Sequence, residues 1–381
     1  MRIIHTSDWH LGRVLHNADL LEDQAHALDE LVALTKDVKP DAVIVAGDLF
    51  DRAIPPKEAV ELADDVFTRI VKECGTTVIA IAGNHDSPER VQFGARILGA
   101  QGLHVAGTLE HVPTIQLIDK HGPVHIVALP YASPEAVRSA LHDERIRDHE
   151  SATAALIARF APAAAAGQRR ILVGHAFVDG GQASPDSERP LAVGGSGLVS
   201  LGVFDGFDYV ALGHLHAPQS LAGHRVRYSG SLLKYSFQEA KQAKSISVVE
   251  LDAKGSVRVE AIPLSLKRDL RIIEGSLEEL LTMSGTDDRR DDWICARVLD
   301  EGLLFDPMAK LRTRYPNAIK LERPALAPTA RGLSRPSIEK KSELDLFARF
   351  VSDVSGKELD AAERAIVEDA IGGISFTEHH V

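Results

Sequence analysis

Residues 41–51 read DAVIVAGDLFD, and residues 76–86 read TTVIAIAGNHD. Each stretch is an unbroken apolar run that stops at glycine and gives way to Asp, Asn and His. A run of β-branched and small apolar residues with no polar alternation marks a strand covered on both faces. A tight exit from such a strand calls for glycine. It does not call for carboxylate, amide and imidazole, so Asp48, Asn84, His85 and Asp86 need another reason.

Reading outward, strand and helix alternate. RIIHTS (2–7) predicts a strand. Residues 20–38 predict a helix, with Leu20, Leu21, Ala25, Leu28, Leu31, Val32 and Thr35 near helical spacing. PPKEAVELADDVFTRIVKE (55–73) predicts a helix opened by prolines, and residues 88–99 predict another. LHVAG (103–107), PTIQLID (113–119), VHIVALP (124–130), RRILVGHA (169–176), FDYVALGHLH (207–216), SISVVELD (245–252) and VRVEAIPL (257–264) read as strands. An Ala-rich stretch at 134–165 reads as helical. The Gly, Ser and Pro of residues 179–200 predict a long loop, either a plain surface loop or a lid.

Past residue 267 the pattern changes to a small α+β unit. Pro324, Pro328 and Pro336 mark a linker over 324–337. SELDLFARFVSDVSG (342–356) and KELDAAERAIVEDAIGG (357–373) then predict an amphipathic helical pair. Such a pair buries little alone and is expected to pack on a domain or a partner.

The chain has 381 residues and a net charge of −12, with 44% apolar and 26% charged residues. That charge argues against general coating of nucleic acid, though not against a local groove or a site where bound cations supply the positive charge. Two cysteines build no disulfide framework. With no membrane-length apolar run and no secretory leader in the opening residues, a cytoplasmic location without membrane contact is expected.

Five polar clusters stand at strand ends: Asp8 with His10, Asp48 with Asp51, Asn84 with His85 and Asp86, His175, and His214 with His216. Ligand sites of open α/β sheets lie beyond the carboxyl ends of the strands. One such Asp is ordinarily a turn former and one such His ordinarily a satisfied side chain. Five in one domain point to a shared task. Carboxylate, imidazole and amide oxygen without thiolate suit Mn²⁺, Fe²⁺ or Zn²⁺ and argue against a structural zinc site. Asp8 and His10, two apart on an extended segment, are expected to project together, as are His214 and His216. Asp48 is the choice for a carboxylate bridging two cations, and Asp51 for a supporting role.

The order D-x-H, G-D-x-x-D, G-N-H-D, G-H, G-H-x-H resembles the calcineurin-like metallophosphoesterases over residues 1 to about 235. Within that superfamily HTSDWHLGR (5–13), GDLFDRAIPP (47–56), IAGNHDSPER (81–90), VALGHLH (210–216) and YSGSLLKYSFQE (228–239) are similar to the SbcD family of bacterial nuclease subunits. Leu232 departs from that family, where proline is common. The resemblance implies a four-layer α-β-β-α sandwich over 1–266, a capping α+β unit over 267–323, the linker over 324–337, and a helical segment at 338–381 that docks on an SbcC-type, SMC-like ATPase. It implies two divalent ions, Mn²⁺ foremost. Asp8, His10, Asp48 and His216 would hold one; Asp48, Asn84, His175 and His214 would hold the other. His85 is left as catalytic histidine with Asp86 as its orienting carboxylate. DNA as substrate and a homodimer are also implied.

Two rival readings remain. A phosphatase of phosphoproteins or small nucleotides is disfavoured by Ala53 and Ala82, where protein phosphatases carry Gly and Arg. A non-catalytic scaffold is disfavoured because all seven ligand positions are filled. Arg225, Arg227, Lys234, Lys241 and Lys244 form a basic stretch against one acid, Glu239. It reads equally as a solvated strand pair or as a phosphate-contacting strip.

Overall fold

The computed structural model describes residues 1–161, 167–184, 187–188, 191, 197–324, 344–345, 347–348, 351–352 and 358–375. Two six-stranded mixed sheets form its centre. The first runs Val257–Pro263, Ser245–Leu251, Arg2–Thr6, Ala42–Ala46, Thr77–Ile81, Leu103–Ala106; its last four strands are parallel. The second runs Gln219–Leu221, Val226–Tyr228, Tyr209–Gly213, Arg169–His175, Gly122–Ala128, Thr114–Asp119.

The apolar runs explain the layering. Along Ala42–Ala46, Val43 and Val45 face one way and Ile44 and Ala46 the other, as the twofold strand repeat requires. Ile44 joins Ile3, Ile79 and Ile81 against Ile126, Ile171, Val173 and Tyr209, so the two sheets pack face to face. Val43 and Val45 pack under Leu28, Leu31 and Val66 of the helices Leu21–Val38 and Lys57–Thr68. On the far side, Leu172, Val210 and Leu212 meet Val137 and Leu156 of the helices Pro134–Leu141 and His149–Phe160. The α/β sandwich expected from the sequence is the one observed.

Several boundaries differ from expectation. The helix at 88–99 breaks at Phe93–Gly94, where Gly94 has φ +73°, into Pro88–Gln92 and Ala95–Leu98. The Ala-rich stretch is two helices, with residues 162–166 outside those described. Leu198–Val199 in the long loop pairs with Phe177–Val178.

The α+β unit is a parallel three-stranded sheet, Leu270–Gly275, Trp293–Val298 and Ala318–Glu322, with helices Leu277–Met283 and Pro307–Arg312. It has its own core around Leu280, Ile294 and Tyr315. Leu270, Trp293 and Cys295 nonetheless join the core under the first sheet. Arg268 donates to buried Asp23 of the first helix at 2.7 Å, and Lys234 pairs with Asp269 at 2.7 Å. The expected boundary at 266 is therefore a change of core within one compact unit, Met1–Ala325.

Leu326–Val381 is a separate unit. Its helix Ala361–Ser375 is capped by Asp360, whose Oδ1 accepts from Ala362 N and Glu363 N at 2.9 Å. The expected linker lies largely outside the described residues, as does much of the first C-terminal helix. Among described residues no helix is long and apolar enough to cross a membrane.

Candidate metal centre

The predicted cluster residues converge at the carboxyl ends of strands from both sheets. Asp8 and His10 follow Arg2–Thr6, Asp48 follows Ala42–Ala46, and Asn84 and His85 follow Thr77–Ile81. The second sheet contributes His175, which ends Arg169–His175, and His214 and His216, which follow Tyr209–Gly213.

The local backbone is not the extended one expected. Asp8, His10, Asp48 and His214 have φ of 52°, 45°, 49° and 102°, in the left-handed region that L residues avoid. Non-glycine residues persist there, at about 1–3 kcal/mol each, where the surroundings over-determine them. The bracing is visible. Asp8 N donates to Gly47 O, His10 N to Asp48 O and Leu11 N to Leu49 O, each at 3.0 Å, so the first two loops are laced together. Gln24, fully buried, donates to His10 O at 2.7 Å and to Trp9 O at 3.0 Å. Gly83 is needed for space: a Cβ there would lie 2.2 Å from Asp48 Oδ1.

Asp48 stands at the middle. Its Oδ2 is 3.6 Å from His10 Nε2 and 3.5 Å from His175 Nε2, and its Oδ1 accepts from His85 N at 2.9 Å. On one side of it, His10 Nε2 and His216 Nε2 face each other at 3.1 Å. On the other, Asn84 Oδ1 lies 2.9 Å from His175 Nε2 and 3.2 Å from His214 Nδ1. Asp8 closes the floor, accepting from His214 N at 3.0 Å. Among the described residues three acid–imidazole groups lie within ligating distance: Asp8, His10 and His216; Asp8, Asp48 and His175; and His10, Asp51 and His85.

These contacts fit cations. His175 Nδ1 must donate to Ala46 O at 2.9 Å, because a carbonyl only accepts. A neutral His175 thus turns the Nε2 lone pair on the Asn84 oxygen. His216 Nδ1 likewise donates to Glu239 Oε1 at 3.1 Å, so its Nε2 presents a lone pair to the His10 ring. His10 Nδ1 and Asn84 Nδ2 are buried without a partner. For His175 and Asn84 lone pairs then face one another in a dry site, which is costly, and a divalent ion relieves that conflict; between His10 and His216 one ring carries the Nε2 proton when no ion is bound. Without an ion the charges adjust. Burial raises the Asp8 carboxyl to about 6 and holds His10 and His214 well below the usual imidazole range. Burial opposes the charge on His175, but Asp48 outweighs it and brings that imidazole up to about 9.

Two sequence expectations are corrected here. Asp86 does not orient His85. Its carboxylate accepts from Leu49 N at 3.0 Å, Phe50 N at 2.9 Å and Gly83 N at 2.9 Å, tying the two motif loops together. The group that orients His85 is the Asp51 carbonyl, which accepts from Nδ1 at 2.9 Å. The basic stretch is neither a solvated strand pair nor a phosphate strip. Arg227 donates to Ser247 Oγ and Ser220 Oγ, Lys234 binds Asp269, and Lys244 is paired with Glu239; only Lys241 and partly Arg225 face solvent. The sequence reading also passed over Gln24 and took Glu239 only as the one acid of the basic stretch. Gln24 carries a legible signal, a polar residue on the buried stripe four before Leu28.

A family model described as calcineurin-like phosphoesterase matches residues 1–218. The chain belongs to the calcineurin-like phosphoesterase family. It is accordingly a metal-dependent phosphoester hydrolase. A second model, SbcD_C, described as type 5 capsule protein repressor C-terminal domain, matches residues 266–355. Among solved structures, this phosphoesterase is similar to a dimetal phosphatase from Danio rerio, at 14% identity and TM-score 0.41, covering 70% of this chain and 99% of that one. It is also similar to GAP50, the anchor in the inner membrane complex of Plasmodium, at 14% identity and TM-score 0.41, covering 71% and 90%.

Proposed function

We propose that this phosphoesterase is the nuclease subunit of an SbcCD-type complex, hydrolysing DNA phosphodiesters as a double-strand exonuclease and single-strand endonuclease with an ATP-driven, SMC-like partner. The observation that carries the reading is the pairing, in one chain, of a phosphoesterase match over 1–218 with an SbcD_C match over 266–355.

In this reading Asp8, His10, Asp48 and His216 hold one Mn²⁺, and Asp48, Asn84, His175 and His214 the other. Two such ions supply Lewis acidity towards phosphoryl oxygens and acidify water at neutral pH. The protein's own groups do the remainder. His85 commits its Nδ1 proton to the Asp51 carbonyl; in the imidazolium form the second proton, on Nε2, would pass to the leaving oxygen, and proton transfer of this kind is worth about 10²–10⁴-fold. Asp86 fixes the loop that carries it. Because Arg227, Lys234 and Lys244 of the 225–244 stretch are engaged internally, DNA is gripped mainly by other surfaces and by the ATPase.

The partner docks on the C-terminal helices; Ala361–Ser375 offers an exposed face that includes Ile366, 71% exposed. A homodimer is supported by Phe93 and Ile97, 86% and 77% exposed. The test is Mn²⁺-dependent cleavage of double-stranded DNA ends, with and without the ATPase. Cleavage that the ATPase and ATP stimulate is expected. Turnover of a small phosphodiester with no DNA cleavage in either case would favour a nucleotide or phosphoprotein phosphatase.

A further inference from the structure

His216 is tied at every polar atom but one. Its N donates to Glu188 Oε1 at 2.9 Å, and its O accepts from Lys244 Nζ at 2.9 Å and Ser231 N at 3.2 Å. Its Nδ1 donates to Glu239 Oε1 at 3.1 Å. Only Nε2 is left, aimed at His10 Nε2. Glu239 and Lys244 are both wholly buried at the side chain and paired at 2.5 Å. The Ser187 hydroxyl lies against the same Glu239 oxygen and 2.8 Å from Ser236 Oγ.

A buried ion pair is poor value as a source of stability, since desolvation offsets the attraction. This one has another use. We infer that Glu239 is a positioning residue for the metal centre: it holds the Nδ1 proton of His216 and so fixes the tautomer and ring angle that present Nε2 to a cation. Lys244 completes the arrangement. It neutralises Glu239, so the carboxylate orients the ring without adding net negative charge to the site, and it grips the carbonyl of the same histidine. Ser187 and Glu188 add to this bracing, the first at the Glu239 carboxylate and the second at the His216 main chain. Partners of this kind govern metal affinity by about 10–100-fold when lost. The other imidazoles are held differently: His175 by a main-chain carbonyl, and His10 with Nδ1 unpartnered.

The inference rests on the reading of His216 as a ligand, and the experiment separates the two. The metal-stripped full chain is titrated with Mn²⁺ by calorimetry, and the histidine tautomers are read by ¹⁵N NMR of the metal-free protein. Wild type is expected to bind two ions and to show His216 protonated at Nδ1. Glu239→Leu combined with Lys244→Met removes both charges together, leaving neither buried alone. It is expected to lose the fixed Nδ1 proton and to bind one ion about 10–100-fold more weakly, with the other ion little changed. Should that double variant fail to fold, Glu239→Gln keeps volume and an acceptor oxygen, and is expected to weaken one ion by about tenfold. A folded variant that binds both ions as wild type does, or loses both equally, overturns the role of Glu239. If His216→Ala still binds two ions, it is the ligand reading that falls.

Discussion

His85 and Asp86 are neighbours in sequence with separate tasks. His85 has Nδ1 on the Asp51 carbonyl and its ring edge-on to His10 at 4.7 Å. His85→Ala is expected to retain both ions in a Mn²⁺ titration while cleavage falls about 10²–10⁴-fold. Loss of an ion instead would make His85 a ligand. Asp86 answers to three main-chain donors. Asp86→Ala leaves those buried N–H groups unsatisfied, each costing about 1–3 kcal/mol, so the unfolding free energy should drop by roughly 3 kcal/mol or more. A variant as stable as wild type but inactive would return Asp86 to the chemistry. The motif letters announced that Asp and His gather here, but not which partner each one has. Partners such as the Asp51 carbonyl are main-chain atoms, which carry no residue-specific signal.

At the scale of elements, the sandwich was readable because the strand runs are apolar on both faces and the helices apolar on one. Ile44 and Val45 had to face different layers, and they do. Turns were less readable. Asp8 and His10 looked like an extended pair, but both lie in left-handed turns held by the neighbouring loop. Tertiary lacing of that sort overrides local preference. The contact between the sheets also has a titratable member. His5 accepts from Tyr209 Oη at 2.8 Å and donates to Leu212 O at 3.2 Å, wholly buried. Burial first, then the Arg227 charge, pulls its pKa from 6.5 down to about 3. The unfolded chain therefore binds the proton more readily. The stabilising contribution is complete above pH 6.5 and is lost as pH falls from 6.5 towards 3. In urea unfolding of the metal-free protein near pH 5, His5→Gln should show a stability slope shallower by about 1.4 kcal/mol per pH unit. Equal slopes would mean His5 is not held neutral.

Over the whole molecule, the basic stretch of 225–244 shows where composition misleads. Five cations close together read equally as a solvated strand pair or a phosphate-contacting strip, but Lys234 and Lys244 became internal struts. Net charge stays legible from sequence, whereas its division between surface and interior is settled by packing. The origin of the site has a mechanical consequence. Asp8, His10, Asp48 and Asn84 come from one sheet, and His175, His214 and His216 from the other. On the proposed ligand set, an ion held between them would be a rivet across the seam of the sandwich. At a concentration 100-fold above its Kd, each ion adds about 2.7 kcal/mol to the folded state. Chelation should accordingly lower the thermal midpoint, and Mn²⁺ should restore it. In hydrogen exchange, Tyr209–Gly213 and Ala42–Ala46 should loosen together while the α+β unit is spared. A melt indifferent to chelator would mean that the two halves are fastened by their apolar faces alone. Otherwise metal supply sets how long this chain survives as well as how fast it works.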